Sequence, residues 1–576
     1  MAVKRKTQRV AATKTARPKP RRAAPARTAR AAQPAATASS GGERTEYRIY
    51  PSIGIARVGD SKDGFIIGPE APGEVPEGPF RGKDDGIKPQ GARFRIFQVD
   101  IDANENETVR REVTGGRDVQ VEWTVQLANR KAGARQIYSG RSGTLTRNTK
   151  APFRNVGFDR DKLVIASAAA IKNAPDAAPV RMSGAITFAK GKTVQHRVDD
   201  IELATLRSDA VGRLIVVGGP GTAKSPANTP LDSFSDNDGW YDSVSDGPVS
   251  ATLRIGKTLH PVIPAWVVIT VPRYAPGVYG IVTWFDQALN MARTDVDGRF
   301  DPPRTTSFLH DVYPILKRTD GLAAVHFTKH GHGPRALTSA ERLEKFQGDS
   351  ELRKGLLERL TRPNAEAKGF EQVPEFLMPA LNSGANPDLK GPKFAFLSLT
   401  PYQFAHLQHW VRGDFVNDWP GAEPKPMAFE KIPVARQPHA LNEAALEACV
   451  GGPFFPGIEA TYDMARITTY RTESHLRHEF RIDPSLPAGS LTEKMALPWQ
   501  ADFADCGESW WPSQRPVSVT TEGGASDEWS RGIDNPNEAT RHRNMVAFWS
   551  CLAFIVRDDA TGTFREQDRL AINGVV

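Results

Sequence analysis

Cysteine is scarce in this chain: only Cys449, Cys506 and Cys551 occur among 576 residues. Three thiols make no disulfide framework, and an odd number leaves at least one unpaired within the chain. A reducing compartment is expected. Long apolar runs are lacking too. The longest, Val546 to Val556, falls well short of a bilayer crossing and suits a buried element. No apolar core follows the basic N-terminus, so a conventional secretory signal is missing, which points to a cytoplasmic protein or to secretion by an unconventional route. Acidic residues are absent from one stretch. Residues 1–42 hold eleven Lys and Arg and no Asp or Glu, three more charges than the net +8 of the whole chain, so the remainder carries −3. That stretch is rich in Ala, Pro and Thr and has no aromatic residue, Leu or Ile. It cannot bury enough apolar surface to offset chain entropy, and residues 1–43 are expected to be a disordered basic tail. Its two readings are polyanion contact through residues 1–42 and a solubilising leader.

The body has the balance of a globular protein, with 39% apolar and 25% charged residues. Tyr47–Ile55, Ala92–Val99 and Val119–Leu127 alternate apolar and polar residues at period two, and Ala265-Trp-Val-Val-Ile-Thr-Val271 is a continuous run of buried-strand type. Beyond about Pro276 helical signals appear. Thr338 stands as a cap with Glu341 behind it. Thr400-Pro401 opens a helix whose face carries Phe404, Leu407, Trp410 and Val411, and Leu441–Cys449 reads as a short helix stopped by Gly451-Gly452. Residues 484–540 read as mostly irregular. Residues 544–557 fit helix or strand; Met545, Phe548, Trp549, Leu552 and Val556 share a helical face, which favours the helix. The fold class is therefore α+β and β-rich. An antiparallel, sandwich-like region over 44–275 packs on a mixed, partly helical region over 276–576 that houses the chemistry.

Several motifs point weakly. Val216-Val-Gly-Gly-Pro-Gly-Thr-Ala-Lys-Ser225 resembles a phosphate loop, but Ala223 replaces the glycine before the lysine and prolines spoil the following helix. Asp232, Asp236, Asp238, Asp242 and Asp246 crowd one segment; calcium is one reading and solvated turns the other. His330 and His332 invite comparison with copper amine oxidases. Those make their quinone from a tyrosine in an Asn-Tyr-Asp/Glu context, and neither Tyr462 nor Tyr241 follows an asparagine here. No HExxH motif occurs, so the expectation is no metal in this chain.

The informative region runs from Ala448 to Val556. Cys506 stands among carboxylates (Asp502, Asp505, Glu508) and tryptophans (Trp499, Trp510, Trp511). Acids beside a thiol raise its pKa, the opposite of what a cysteine hydrolase needs. The bland alternative is a small buried cysteine in a Trp-rich core. Asp502-Phe-Ala-Asp-Cys506 through Trp510-Trp-Pro512, the apolar segment Met545–Val556, and the stretches Tyr50–Gly59, Glu122–Asn129, Asp238–Val249 and Ser307–Ile315 resemble the cysteine tryptophylquinone-dependent family of L-lysine ε-oxidases and glycine oxidases. Ala553, where that family has glycine before phenylalanine, is a departure.

The resemblance implies a cofactor built from the chain itself, a cysteine tryptophylquinone joining Cys506 to Trp549, with Trp510 as the alternative partner. It implies that Asp502 serves cofactor formation and catalysis, and that Cys449 lines the substrate pocket. The activity implied is oxidative deamination of a primary amine or amino acid with O2, releasing H2O2 and ammonia. An ortho-quinone offers an electrophilic carbonyl and an electron sink, and a buried carboxylate can take the proton. No flavin is expected in this chain, since it has no dinucleotide fingerprint; a separate flavoprotein would mature the quinone. The other partners expected are the small-molecule amine, O2 and a second copy of the chain in a homo-oligomer, with no membrane. The rival readings are an inactive homologue that binds through its basic tail and a copper amine oxidase. Deleting residues 2–42 is expected to leave turnover unchanged and to abolish salt-sensitive retention on DNA. Retention by the truncated body would place the basic surface elsewhere.

Overall fold

The computed structural model describes residues 43–572 apart from 137, 140–143, 146–151, 173–176, 328–335, 359–365, 368–381, 386–393, 397–398, 452–459 and 506–511. The basic tail (save Glu43), His330, His332, Cys506, Trp510 and Trp511 therefore lie outside the described residues.

Strands β1 (Arg44–Tyr50), β2 (Ile53–Arg57), β3 (Gln90–Ile101), β4 (Val119–Asn129), β5 (Ile165–Lys172), β6 (Val180–Lys190), β7 (Thr193–Ser208), β8 (Leu214–Gly218), β9 (Ser245–Ile255) and β10 (Ala265–Thr270) belong to one 14-stranded sheet. Its main path runs β6-β7-β8-β3-β2-β10-β9-β4-β5. Most pairs are antiparallel, as the period-two alternation predicts; in β4, Val121, Trp123, Val125 and Leu127 all point inward. The long strand β3 gives its first half to β8 and its second half to β1. The sheet curls until its two ends meet, and Gly184 on β6 is so close to β5 that a Cβ would stand 2.6 Å from the Ala166 carbonyl.

The centre departs from the antiparallel expectation, because β2 and β10 run parallel, with Trp266 opposite Ile53 and Thr270 opposite Arg57. Every residue of both strands is buried. Parallel strands need cover on both faces, which explains the unbroken apolar run at 265–271. On one face Ile53, Ile55, Trp266 and Val268 meet Trp284, Ala288, Ala445 and Leu446. On the other, Ala56, Val267 and Ile269 join the main core.

Among the helices are α1 (Trp284–Ala292), α2 (Tyr313–Gly321), α3 (Ala340–Gly348), α4 (Pro401–Arg412), α5 (Gln437–Glu447), α6 (Trp499–Asp505) and α7 (Glu538–Phe548), of which α1 and α5 help to cover the first face. Helix α4 starts as its sequence predicts, with a reciprocal capping box between Thr400 and Gln403, and ends on left-handed Gly413. Helix α3 is capped by Ser339 and not by Thr338, whose hydroxyl instead donates to Asp320 at 2.7 Å. Helix α5 begins at Gln437, ahead of the expected Leu441, with proline in its first turn. The single helix expected over 544–557 is not formed. Helix α7 stops at Phe548, Trp549–Cys551 make a 3-10 turn, and β11 (Phe554–Arg557) pairs with β12 (Phe564–Gln567).

Between the sheet and α6 lies a buried ion pair. Lys131 donates to the Asp242 carboxylate at 2.5 Å and to the Ala496 carbonyl at 2.7 Å, and neither charged side chain is exposed. Asn129 donates to the other Asp242 oxygen at 2.8 Å. Lys131→Met leaves a buried carboxylate without its cation, and a loss of about 3–5 kcal/mol in urea unfolding is expected. Adding Asp242→Asn should recover part of that loss; an equal or larger loss in the double variant would refute the pairing.

Candidate active site

Trp549 is held by its main chain. Its carbonyl accepts from the Tyr274 hydroxyl at 2.5 Å, and the Arg81 guanidinium donates to the Ser550 carbonyl at 2.5 Å and the Leu552 carbonyl at 2.9 Å. Those carbonyls are committed outside any helical ladder, which is why the helix stops before the ring. Trp529 adds a fourth tie, from its indole N–H to the Ala553 carbonyl at 2.8 Å. Around this turn Tyr274 packs on Trp529 and Phe554, and Phe503 bridges Trp499 and Trp529.

The Trp549 indole is 6% exposed and meets Trp499 edge-on, with centroids 5.4 Å apart at 71°. On another side lies Gly221, with φ +70°, where a Cβ would stand 2.8 Å from Cζ2 and 3.0 Å from Cη2 of the ring. Only glycine tolerates both that conformation and that approach. The loop that resembles a phosphate cradle is thus a floor for the indole, a role that its sequence does not signal. Gln500 secures the floor by donating to the Gly221 carbonyl at 3.1 Å.

Helix α6 faces this ring. Trp499, Gln500 and Asp502 are all fully buried. Asp502 lies one turn beyond Trp499, so the two share a helix face. Its charge also reaches Lys131, where it opposes the effect of burial, the larger influence, which depresses the lysine pKa. The N–H of Trp499 donates to Asp242 at 3.2 Å, so the ion pair anchors the start of the helix. Asp505 anchors its end. One oxygen accepts from Arg541 at 2.9 and 2.5 Å, and the other meets Nε2 of buried His542 at 2.9 Å. Burial would raise the Asp505 pKa, but His542 and Arg541 outweigh it and hold the carboxyl below its ordinary range. Cys506 follows directly in the chain, outside the described residues.

Cys449 is buried just after α5. Its sulfur lies 3.5 Å from Nη2 of Arg57, which also donates to the Ala448 carbonyl at 2.9 Å, while Nη1 donates to the Val271 carbonyl at 2.8 Å. Arg57 ends β2, and its neighbour Val58 would meet a Cβ on Gly221 at 3.2 Å. Cys449 and Trp549 therefore reach the same strand end by different routes. A narrow cleft opens there between Arg57, Val58, Phe80, Arg273, Ala448 and Phe554. Cys551, the remaining thiol, is half-buried, and burial pushes its pKa up.

Of the five aspartates of the acidic segment, Asp232 is exposed and the other four are committed within the fold. Asp242 takes Lys131, Asp236 takes Arg154 at 2.7 Å, Asp238 accepts from the Asn155 N–H at 2.6 Å, and Asp246 accepts from Trp266 at 2.9 Å and Thr492 at 2.6 Å. Asp505, Glu538 and His542 bring ligand atoms within 4.8 Å of one another, but Arg541 already supplies the cation at Asp505. The His330/His332 pair lies outside the described residues.

A ring-derived quinone fits this setting. The Trp499 indole N–H is buried with no hydrogen-bond partner among the described residues, and it belongs to the helix that faces Trp549. A donor of that kind suits a ring that gains oxygens.

Residues 50–269 match the family model of the L-lysine ε-oxidase N-terminal region, and residues 380–522 match that of its C-terminal domain. L-lysine 6-oxidase of Marinomonas mediterranea is 25% identical over 554 residues, which span 80% of this chain and 70% of that protein. Two crystal structures of L-Lys ε-oxidase from that organism superpose with TM-scores of 0.68 and 0.69 at 21% identity, covering 91% of this chain and 94% and 95% of theirs. The chain belongs to the L-lysine ε-oxidase family.

Proposed function

We propose that this chain oxidatively deaminates a primary amine or amino acid, L-lysine first among the candidates, through a cysteine tryptophylquinone made from Cys506 and Trp549. The reaction consumes O2 and releases H2O2 and ammonia. Family membership sets the class as amine or amino-acid oxidation. The observation that carries the finer reading is the setting of Trp549, a tryptophan fixed through its main chain, floored by glycine and faced by a helix bearing a fully buried aspartate.

The quinone would supply an electrophilic carbonyl and a two-electron sink. The residues around it supply the rest. Asp502, buried one turn from Trp499, takes the proton from the carbon that bears the amine. The aromatic wall of Trp499, Phe503, Tyr274 and Trp529 excludes water from that transfer. Arg57, which lines the cleft, holds the sulfur of buried Cys449 behind it, and the thiol shapes the substrate's approach. A separate flavoprotein oxidises the Trp549 ring, using O2 as the source of its oxygens.

The test is to express the chain with and without that partner, digest it, and screen amines with a peroxide-coupled assay. Matured protein should carry an added mass of about 28 Da, for two oxygens gained and four hydrogens lost, and residues 506 and 549 should appear in one linked peptide. Active protein with both peptides separate and unmodified would sink the assignment. Asp502→Ala should fold, hold little quinone and lose activity by a factor on the order of 10² or more. Near-normal turnover with full cofactor would remove Asp502 from the mechanism.

A further inference from the structure

Trp499 packs edge-on against Trp549, and its own polar atom, Nε1–H, finds no partner among the described residues. The side chain is 0% exposed. A buried N–H left unmatched costs about 1–3 kcal/mol, so proteins seldom keep one without a purpose. Other buried tryptophans show the contrast: Trp529 gives its N–H to the Ala553 carbonyl, Trp266 to Asp246 and Trp240 to the Thr229 carbonyl, while Trp410, which does not pack on Trp549, shares the unmatched state. Trp499 is also held firmly. Its main-chain N–H is tied to Asp242, Phe503 packs against it at 5.1 Å, and the next residue is pinned to the Gly221 floor beneath Trp549. A rotation of the indole towards another acceptor would break this packing.

We propose that the Trp499 indole N–H is the hydrogen-bond donor to an oxygen that the Trp549 ring acquires on maturation. The inference rests on the quinone reading above and adds a positioning residue to it. Before maturation Trp549 offers only carbon and its own N–H, so no acceptor exists on that ring. Each ring C–H replaced by a C=O places an acceptor at the ring edge, and the Trp499 N–H is then satisfied. The oxygens come from O2, the electrons leave through the flavin-dependent partner, and Trp499 itself is neither oxidised nor deprotonated. A donor at a quinone oxygen stabilises the electron-rich reduced ring more than the oxidised one, so Trp499 favours electron uptake from substrate.

The experiment uses matured full-length protein and resonance Raman spectra of the quinone carbonyl stretches in H2O and D2O. The wild type is expected to show one carbonyl stretch lowered in frequency and sensitive to deuterium. Replacing Trp499 by 3-benzothienylalanine, which keeps the shape but removes the N–H, should raise that stretch, abolish its deuterium shift and make the quinone harder to reduce. Trp499→Phe serves as the second variant. An unchanged stretch and deuterium shift in either would overturn the proposal, as would a wild-type spectrum insensitive to D2O. If neither variant matures, wild-type protein decides. Its Trp499 indole proton should move downfield between the unmatured and matured forms, and an unmoved resonance overturns the inference. A wild type with no quinone at all would instead refute the functional reading on which this rests.

Discussion

The Asp242 carboxylate is the point on which the site depends. Four groups from three parts of the chain converge on it: the Lys131 ammonium, the Asn129 amide, the Val244 N–H and the first N–H of α6. A bare carboxylate at that depth would be prohibitively costly, so the fold must bring the end of β4 and the start of α6 to the same place. Once α6 is fixed at Trp499, helical spacing sets Gln500 over the Gly221 floor and directs Asp502. Asp505, tied to Arg541 and His542, sets the other end. Over its described residues, Trp499–Asp505, this helix is held by charged groups at the first residue and at the last.

What the sequence disclosed follows from the range of the interactions involved. Alternation in Val119–Leu127 reports a single strand's own two faces, and the Thr400/Gln403 box closes within four residues; both are local and both were readable. The Ala265–Val271 run announced burial on both faces, although its parallel partner β2 could not be inferred from 200 residues away. At the site, Trp549 and Cys449 were singled out through the resemblance, and the structure brings both to the end of β2. Gly221 escaped notice because its role is to leave space for a ring more than 300 positions later. Arg81 did so because it recognises carbonyls, which every residue possesses. The false helix over 544–557 has the same origin: its apolar spacing is sound, but distant donors claim the carbonyls that a continuing helix would use.

That last feature bears on how such a chain tolerates change. The side-chain donors of Tyr274, Arg81 and Trp529 seize the segment after α7 by the carbonyls of residues 549, 550, 552 and 553. A grip on the main chain is blind to side chains, and any residue that fits sterically presents the same oxygen. Ala553 is fully buried, and its carbonyl is what Trp529 takes. The side chains along the turn must still fit a closed core, since Leu552, Ala553 and Ile555 are fully buried and Phe554 nearly so. None of them, however, has to supply the hydrogen bonds by which the tryptophan is presented.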